Sequence, residues 1–254
     1  MKRADGRLRT EARPPGAELN FIAYPEGSVL FSLGNTRVLC NASIEQRLPG
    51  WMQSGDKPGG WVTAEYAMLP RATHSRSQRE TFQPRARSQE IRRLIGRSLR
   101  AAVKLENLPA ITCIVDCDVL QADGGTRTAS ISGGYIALAM ALFRLSESHG
   151  TGLDLFRPAV AAISAGIVDD EAMVDLAYRE DASAAFDLNV VMNASGALIE
   201  VQGTAEQGAI PRDKFVELLE LTETSIRGML QFQRDKLQEA DISLPEEVWG
   251  APHR

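Results

Sequence analysis

The chain opens with short apolar runs broken by turn residues. Glu18 to Tyr24, Gly27 to Leu33 and Thr36 to Glu45 are rich in β-branched and aromatic side chains, and Pro25-Glu26-Gly27 and Gly34-Asn35 separate them. The pattern predicts three strands. Pro49 to Gly60 holds four glycines and two prolines and reads as a loop. Trp61 to Leu69 reads as a fourth strand, ended by Pro70, and Arg71 to Pro84 is polar, basic and aperiodic, hence a second loop. The period then changes. Between Arg87 and Lys104, Ile91, Leu94, Ile95, Ser98, Leu99, Ala102 and Val103 recur at helical spacing, with Arg92, Arg93, Arg97 and Arg100 largely off that face. Ile111 to Gln121 is a strand, Gly124-Gly125 break it, and Thr128 to Ser146 is a helix apolar on most sides, as buried helices are.

After Arg157-Pro158 the strand pattern returns at Ala159 to Val168, Ala172 to Tyr178, Asp187 to Met192 and Ala197 to Gly203, with Asn193-Ala194-Ser195-Gly196 as a hairpin signal. Asp213 to Glu239 is a long amphipathic helix with Phe215, Leu218, Ile226 and Leu230 facing inward. This order predicts an α+β fold of helices on mixed sheets. One domain over residues 1–245 divides into similar halves, about 1–150 and about 157–240, and residues 246–254 are expected to form a mobile tail.

Composition adds limits. The 254 residues are 44% hydrophobic and 24% charged, an ordinary globular mixture. No run approaches the roughly 18 apolar residues of a bilayer span, so no membrane partner is expected. Met1-Lys2-Arg3-Ala4-Asp5-Gly6 has no apolar stretch behind its charges, unlike a signal peptide. Cys40, Cys113 and Cys117 form no CxxC pair, and the last two alternate with Ile111, Val115 and Val119 as core residues of a strand. A cytoplasmic protein is expected.

The net charge of −5 argues against a generic nucleic-acid binder, but its distribution argues otherwise. From Arg71 to Arg100 there are nine Arg, no Lys and two acids, which is +7 and leaves −12 on the rest. A positive region on a negative body steers an anion to one place. A solvated helix face beside a basic loop is the plainer reading.

The most informative stretch is Cys117 to Ser130. A strand runs into two glycines, then hydroxyl residues and Arg127, then a helix. Glycines allow close backbone approach, free amides at a helix start form an anion site, and the Arg127 fork matches phosphate oxygens. An ordinary strand-to-helix turn with a Thr cap fits the same residues. No GxxxxGK[ST] or GxGxxG is present. A second constellation is Asp181 and Asp187. If one strand ends near Arg179 and the next begins near Asp187, the two carboxylates flank a hairpin loop and share one end of a sheet. They are then either a Mg²⁺ pair or turn caps. Asp116, Asp118 and Asp123 read as structural, with metal contact as the other option. Arg71, Arg76 and Arg79 can grip an RNA backbone without reading sequence, or form ion pairs between subunits. His74, His149 and His253 give no evident acid–base pair.

Gln121-Ala122-Asp123-Gly124-Gly125-Thr126-Arg127-Thr128-Ala129-Ser130 resembles the phosphate-binding segment of the ribonuclease PH family. Pro25 to Leu30, Ala64 to Thr73 and Glu90 to Arg97 agree with the same family, in order and nearly over the whole chain. The resemblance implies that Arg87, Gly125, Thr126 and Arg127 bind inorganic phosphate, and that Asp181 and Asp187 serve metal (Mg²⁺ or Mn²⁺) and acid–base work. It implies a phosphorolytic 3′–5′ exoribonuclease that releases nucleoside 5′-diphosphates and runs in reverse to extend RNA. It also implies RNA partners rather than DNA, chiefly tRNA 3′ ends with some ribosomal RNA trimming, and a homohexamer built from three dimers. Two rivals are a hydrolytic 3′ exoribonuclease, which leaves the Gly-Thr-Arg segment without a purpose, and a non-catalytic RNA-binding ring subunit, which the presence of all four charged site residues disfavours.

Overall fold

Two sheets carry the strands. Gly27–Leu33 (β2) and Thr36–Glu45 (β3) form where expected and pair antiparallel, with Pro15–Leu19 (β1) on the outer side of β2. Trp61–Met68 (β4) runs parallel to Thr112–Gln121 (β5), and the five-stranded order is β1-β2-β3-β5-β4. The second sheet has the order β7-β6-β8-β9, from Val160–Val168 (β6), Glu171–Val174 (β7), Phe186–Asn193 (β8) and Leu198–Ala205 (β9). The computed structural model describes residues 3–53, 59–80, 85–150, 152, 154–206 and 208–250.

Helices close the core. Gly50–Gln53 (α1) is a single turn, Ala86–Arg100 (α2) packs on β4, and Thr126–His149 (α3) packs on β2, β3 and β6. Tyr178–Asp181 (α4) is a short turn of helix, and Arg212–Glu239 (α5) covers β6 and β7. One continuous set of buried side chains runs through both sheets, from Val29, Phe31 and Val119 to Val160, Leu188 and Leu230. The α3 serines Ser130 and Ser132 find partners in that apolar setting, while the buried Tyr135 hydroxyl has none among the described residues. Ser130 donates to the Thr126 carbonyl (2.8 Å), and Ser132 bridges to β6 through the Ala162 carbonyl and amide. By length and composition alone, Thr126–Ser148 passes for a membrane span with mean hydropathy 1.3, contrary to the sequence reading. It is a core helix, with 89% of its apolar window buried in the protein.

Four expectations change. The first strand stops at Leu19, not Tyr24, because Asn20 takes a left-handed φ of 55° and the next residues turn outward, leaving Tyr24 exposed. The strand expected to reach Tyr178 stops at Val174, because Asp175 is left-handed at φ 53° and binds the N-terminal arginines. No simple hairpin carries Asp181 and Asp187, since β7 and β8 lie on either side of β6 and α4 fills the connection. The expected tail is ordered over Glu246–Trp249 as a 3₁₀ turn, with Val248 buried and its carbonyl accepting the Ala159 amide (2.7 Å). Residues 251–254 lie outside the described residues, as do 54–58 and 81–84 of the two expected loops.

Candidate active site

The glycine turn between β5 and α3 is fixed by sterics. Gly124 and Gly125 are both left-handed, at φ 76° and 65°. A Cβ on Gly124 would lie 2.2 Å from the Leu176 carbonyl oxygen, so only glycine fits there. Gly125 is the α3 N-cap and no side chain caps it, so the first amides of a buried helix remain available to an anion. The Thr126 hydroxyl is already engaged, 2.9 Å from the Tyr66 hydroxyl.

Arg127 projects from the first turn of α3 into a cavity of about 840 Å³ that Arg87, Asp181, Asp187, Asn189, Gln202 and Glu206 also line. Five elements meet there, β9 among them. Arg87 and Glu90 come from α2, Arg127 from α3, Asp181 from α4, and Asp187 and Asn189 from β8. Strand register completes the wall, because Asp187 faces Thr204 and Asn189 faces Gln202 across β8 and β9. Thus the two carboxylates expected to serve a metal and two of the four residues expected to bind phosphate line one cavity. Gly125 and Thr126 stand beside it through the chain without lining it. Arg71 lines a different cavity, and Arg76 and Arg79 are exposed on the loop after β4.

The charges are poised. Arg87 has no hydrogen bond or ion pair among the described residues, while Arg127 Nη1 donates to Gln202 Oε1 (3.1 Å) and lies 3.6 Å from Glu90. Burial pushes the Asp181 carboxyl above its ordinary value, against the charges of Arg87, Arg127 and Arg13. Burial and then the Asp181 charge push Asp187 the same way, opposed by Arg127, by the Asn189 amide at 3.3 Å and by Arg87. Four carboxylates (Glu90, Asp181, Asp187, Glu206) thus face two guanidiniums in one cavity. That excess of negative charge suits a divalent cation. Two carboxylates are also the usual protein share for Mg²⁺, which keeps waters and substrate oxygens for its other positions. Among the described residues no cluster of three or more acids, His or Cys forms a complete cage.

A buried ion network anchors the site and was not foreseen. Asp175, fully buried, accepts from Arg13 Nε (2.8 Å), Arg13 Nη2 (2.6 Å) and the Arg13 amide (2.7 Å). Arg13 Nη1 also donates to the Asp123 carbonyl of the glycine turn. Arg3 Nε donates to Glu180 on α4 (2.7 Å). Burial works to raise the Glu180 carboxyl, but Arg3, the Ala177 amide and Arg7 outweigh it and hold it below the usual range. The N-terminal arm therefore ties the turn before α3 to the helix that presents Asp181. Nothing in the spacing of Arg3, Arg7 and Arg13 signals this. Gln202 and Asn189 did leave a signal, as polar residues at period two with Glu200 and Asp187 in otherwise apolar strands.

Comparison with known proteins agrees in extent. Residues 11–143 match the 3′ exoribonuclease family, domain 1, and residues 159–225 match domain 2 of the same family. Ribonuclease PH of Bacillus velezensis and that of Bacillus subtilis are each 47% identical over 247 residues, covering 96% of this chain and 99% of the relative. Among solved structures, rice (Oryza sativa) Rrp46 superposes with a TM-score of 0.76 at 20% identity, covering 93% of this chain and all of that one. The Archaeoglobus fulgidus exosome with RNA bound to the active site has a chain at TM-score 0.75 and 24% identity, covering 91% of this chain and 92% of that one. These two share the fold, and the sequence relatives and both family domains place the chain within the ribonuclease PH family of 3′ exoribonucleases.

Proposed function

We propose that this protein is a phosphorolytic 3′–5′ exoribonuclease that shortens RNA one nucleotide at a time, with tRNA precursors as its main substrate. The observation that carries the reading is the meeting of Arg87 and Arg127 with Asp181 and Asp187 in one cavity. A hydrolase needs the carboxylates alone. Two guanidiniums, one of them without a side-chain partner among the described residues, suit a second anionic reactant.

Inorganic phosphate is held by Arg87 and Arg127, with the free amides of Gly125 and Thr126 at the start of α3 alongside. The 3′-terminal nucleotide lies by Asp181 and Asp187. A phosphate oxygen attacks the phosphorus of the last phosphodiester, and the bond to the 3′ oxygen of the preceding nucleotide breaks. The new bond is the anhydride of a nucleoside 5′-diphosphate, and the departing 3′ oxygen takes a proton, for which Asp181 is placed as relay. The arginines offset charge on the equatorial oxygens, so catalysis is mostly positioning and electrostatics. Asp181 and Asp187 would hold Mg²⁺ or Mn²⁺, and a bound divalent ion supplies Lewis-acid stabilisation of the phosphoryl oxygens. An ester is exchanged for an anhydride, so the reaction runs backward at high diphosphate.

Arg71, Arg76 and Arg79 grip the RNA backbone ahead of the site. A homohexamer of three dimers is the assembly. The open outer face of the first sheet supports it, where Leu30, Leu39 and Ile114 are only half-buried beside Asp116 and Asp118. The three cysteines are unpaired and buried, which suits the cytoplasm. The test is incubation with 3′-extended tRNA and Mg²⁺, with and without phosphate. Nucleoside diphosphates that form only with phosphate are expected. Monophosphates, or trimming that ignores phosphate, would overturn the reading.

A further inference from the structure

A second cavity of about 840 Å³ lies on the far side of α4. Tyr178 and Arg179 line it, while Asp181, at the other end of the same helical turn, lines the catalytic cavity. The two spaces therefore share α4 as a wall. The charged groups of the second cavity divide cleanly. Its acids are committed: Asp5 to Arg7 (2.7 Å), Glu180 to Arg3 (2.7 Å), and Asp123 to the Tyr178 amide (3.2 Å). Arg7 and Arg13 are committed to Asp175. Arg71 and Arg179 are exposed and have no hydrogen bond or ion pair from their guanidiniums among the described residues. The uncommitted charge is thus all positive.

An aromatic pair lines the same cavity. The rings of His74 and Tyr178 are 5.8 Å apart at 56°, and Tyr178 is 48% exposed. A large ring left half in water beside free guanidiniums has the composition of a single-strand nucleic-acid platform, in which a ring stacks on a base and cations meet the phosphates. We infer that this cavity is the subsite for a nucleotide at least two positions upstream of the scissile bond, with the base stacked on Tyr178 and His74 and its phosphate held by Arg71 and Arg179. The inference rests on the exoribonuclease reading and extends it. RNA reaches Asp181 by passing over α4, and the enzyme gains affinity from the strand it keeps rather than from the nucleotide it removes. Stacking tolerates any base, so the grip favours length over sequence.

The test compares wild type, Tyr178→Ala, Tyr178→Phe and His74→Ala. Loss of one stacked base weakens binding about tenfold. Tyr178→Ala is expected to lower kcat/KM on a long oligoribonucleotide about tenfold more than on a dinucleotide, mostly through KM, and Tyr178→Phe to restore it. In phosphate-free buffer, 2-aminopurine scanned along the RNA should be quenched at one upstream position in wild type and not in Tyr178→Ala. Equal loss on both substrates would overturn the inference and mark Tyr178 as a support for α4. A smaller assembly by light scattering would overturn it in favour of a subunit interface. Quenching unchanged in Tyr178→Ala would also sink it. If the parent reading fails instead, RNA is consumed in the phosphate-free samples, a different signature.

Discussion

Removing the Arg13 guanidinium tests whether the N-terminal arm is a structural part of the site. Asp175 is fully buried and takes three of its hydrogen bonds from Arg13. In Arg13→Met the amide bond remains, as does Arg7 Nη1 at 3.2 Å, but the two close guanidinium contacts are gone. Stripping one partner from a buried ion pair costs about 3–5 kcal/mol, because the other charge stays in a poor medium. The remaining Arg7 places this case at the low end, about 3 kcal/mol. With a urea slope of about 3 kcal/mol/M, the unfolding midpoint falls by about 1 M at fixed protein concentration. Adding Asp175→Asn removes the stranded charge and should recover a large part of the loss. Activity should fall with stability in the single variant, since Arg13 also holds the turn before α3. A midpoint shift under about 0.3 M, or a double variant no better than the single, would refute the reasoning.

Three further outcomes are expected. Arg127→Ala should raise KM for phosphate and cut turnover about 10²–10³-fold with an unchanged circular dichroism spectrum, since among the described residues the Arg127 guanidinium is tied only to Gln202 and Glu90; an undiminished rate would discredit the anion site. Asp187→Asn should cost about 10²-fold or more in rate and weaken Mg²⁺ dependence in a metal titration, with phosphate affinity nearly kept. Asp116 is pushed up to about 6 by burial, then by the charges of Asp118 and Glu65. Its folded value is raised, so its contribution is fully present below the unfolded value of 3.8 and is lost as pH rises through about 6. Discounted for partial exposure, Asp116→Asn should stabilise by about 1–2 kcal/mol at pH 8 and by little at pH 4, read from urea midpoints at both pH values.

Much of the fold was legible because its signals are local. β2 and β3 matched their predicted bounds, and the long helices α2, α3 and α5 lay where apolar period and glycine breaks put them. The misses came from backbone conformations that sequence pattern does not encode. Asn20 and Asp175 end strands through left-handed backbone, and the second is held there by residues about 160 positions away. The hairpin around Asp181 was a wrong pairing, since β6 lies between the strands assumed to be neighbours. The site reading nonetheless placed Arg87, Arg127, Asp181 and Asp187 together, because the resemblance carried what spacing left open. Glu90, Gln202 and the Arg3–Arg7–Arg13 arm were missed for the same physical reason: each acts across the chain, on partners no local window contains.

The origin of the oxygen joined to the released nucleotide decides the central claim most directly. With inorganic phosphate uniformly labelled with oxygen-18, phosphorus NMR of the products should show nucleoside diphosphate carrying label in the anhydride bridge and on the β phosphorus, with none on the non-bridging α oxygens. Unlabelled nucleoside monophosphate as the product would contradict the account, because water would then be the attacking group.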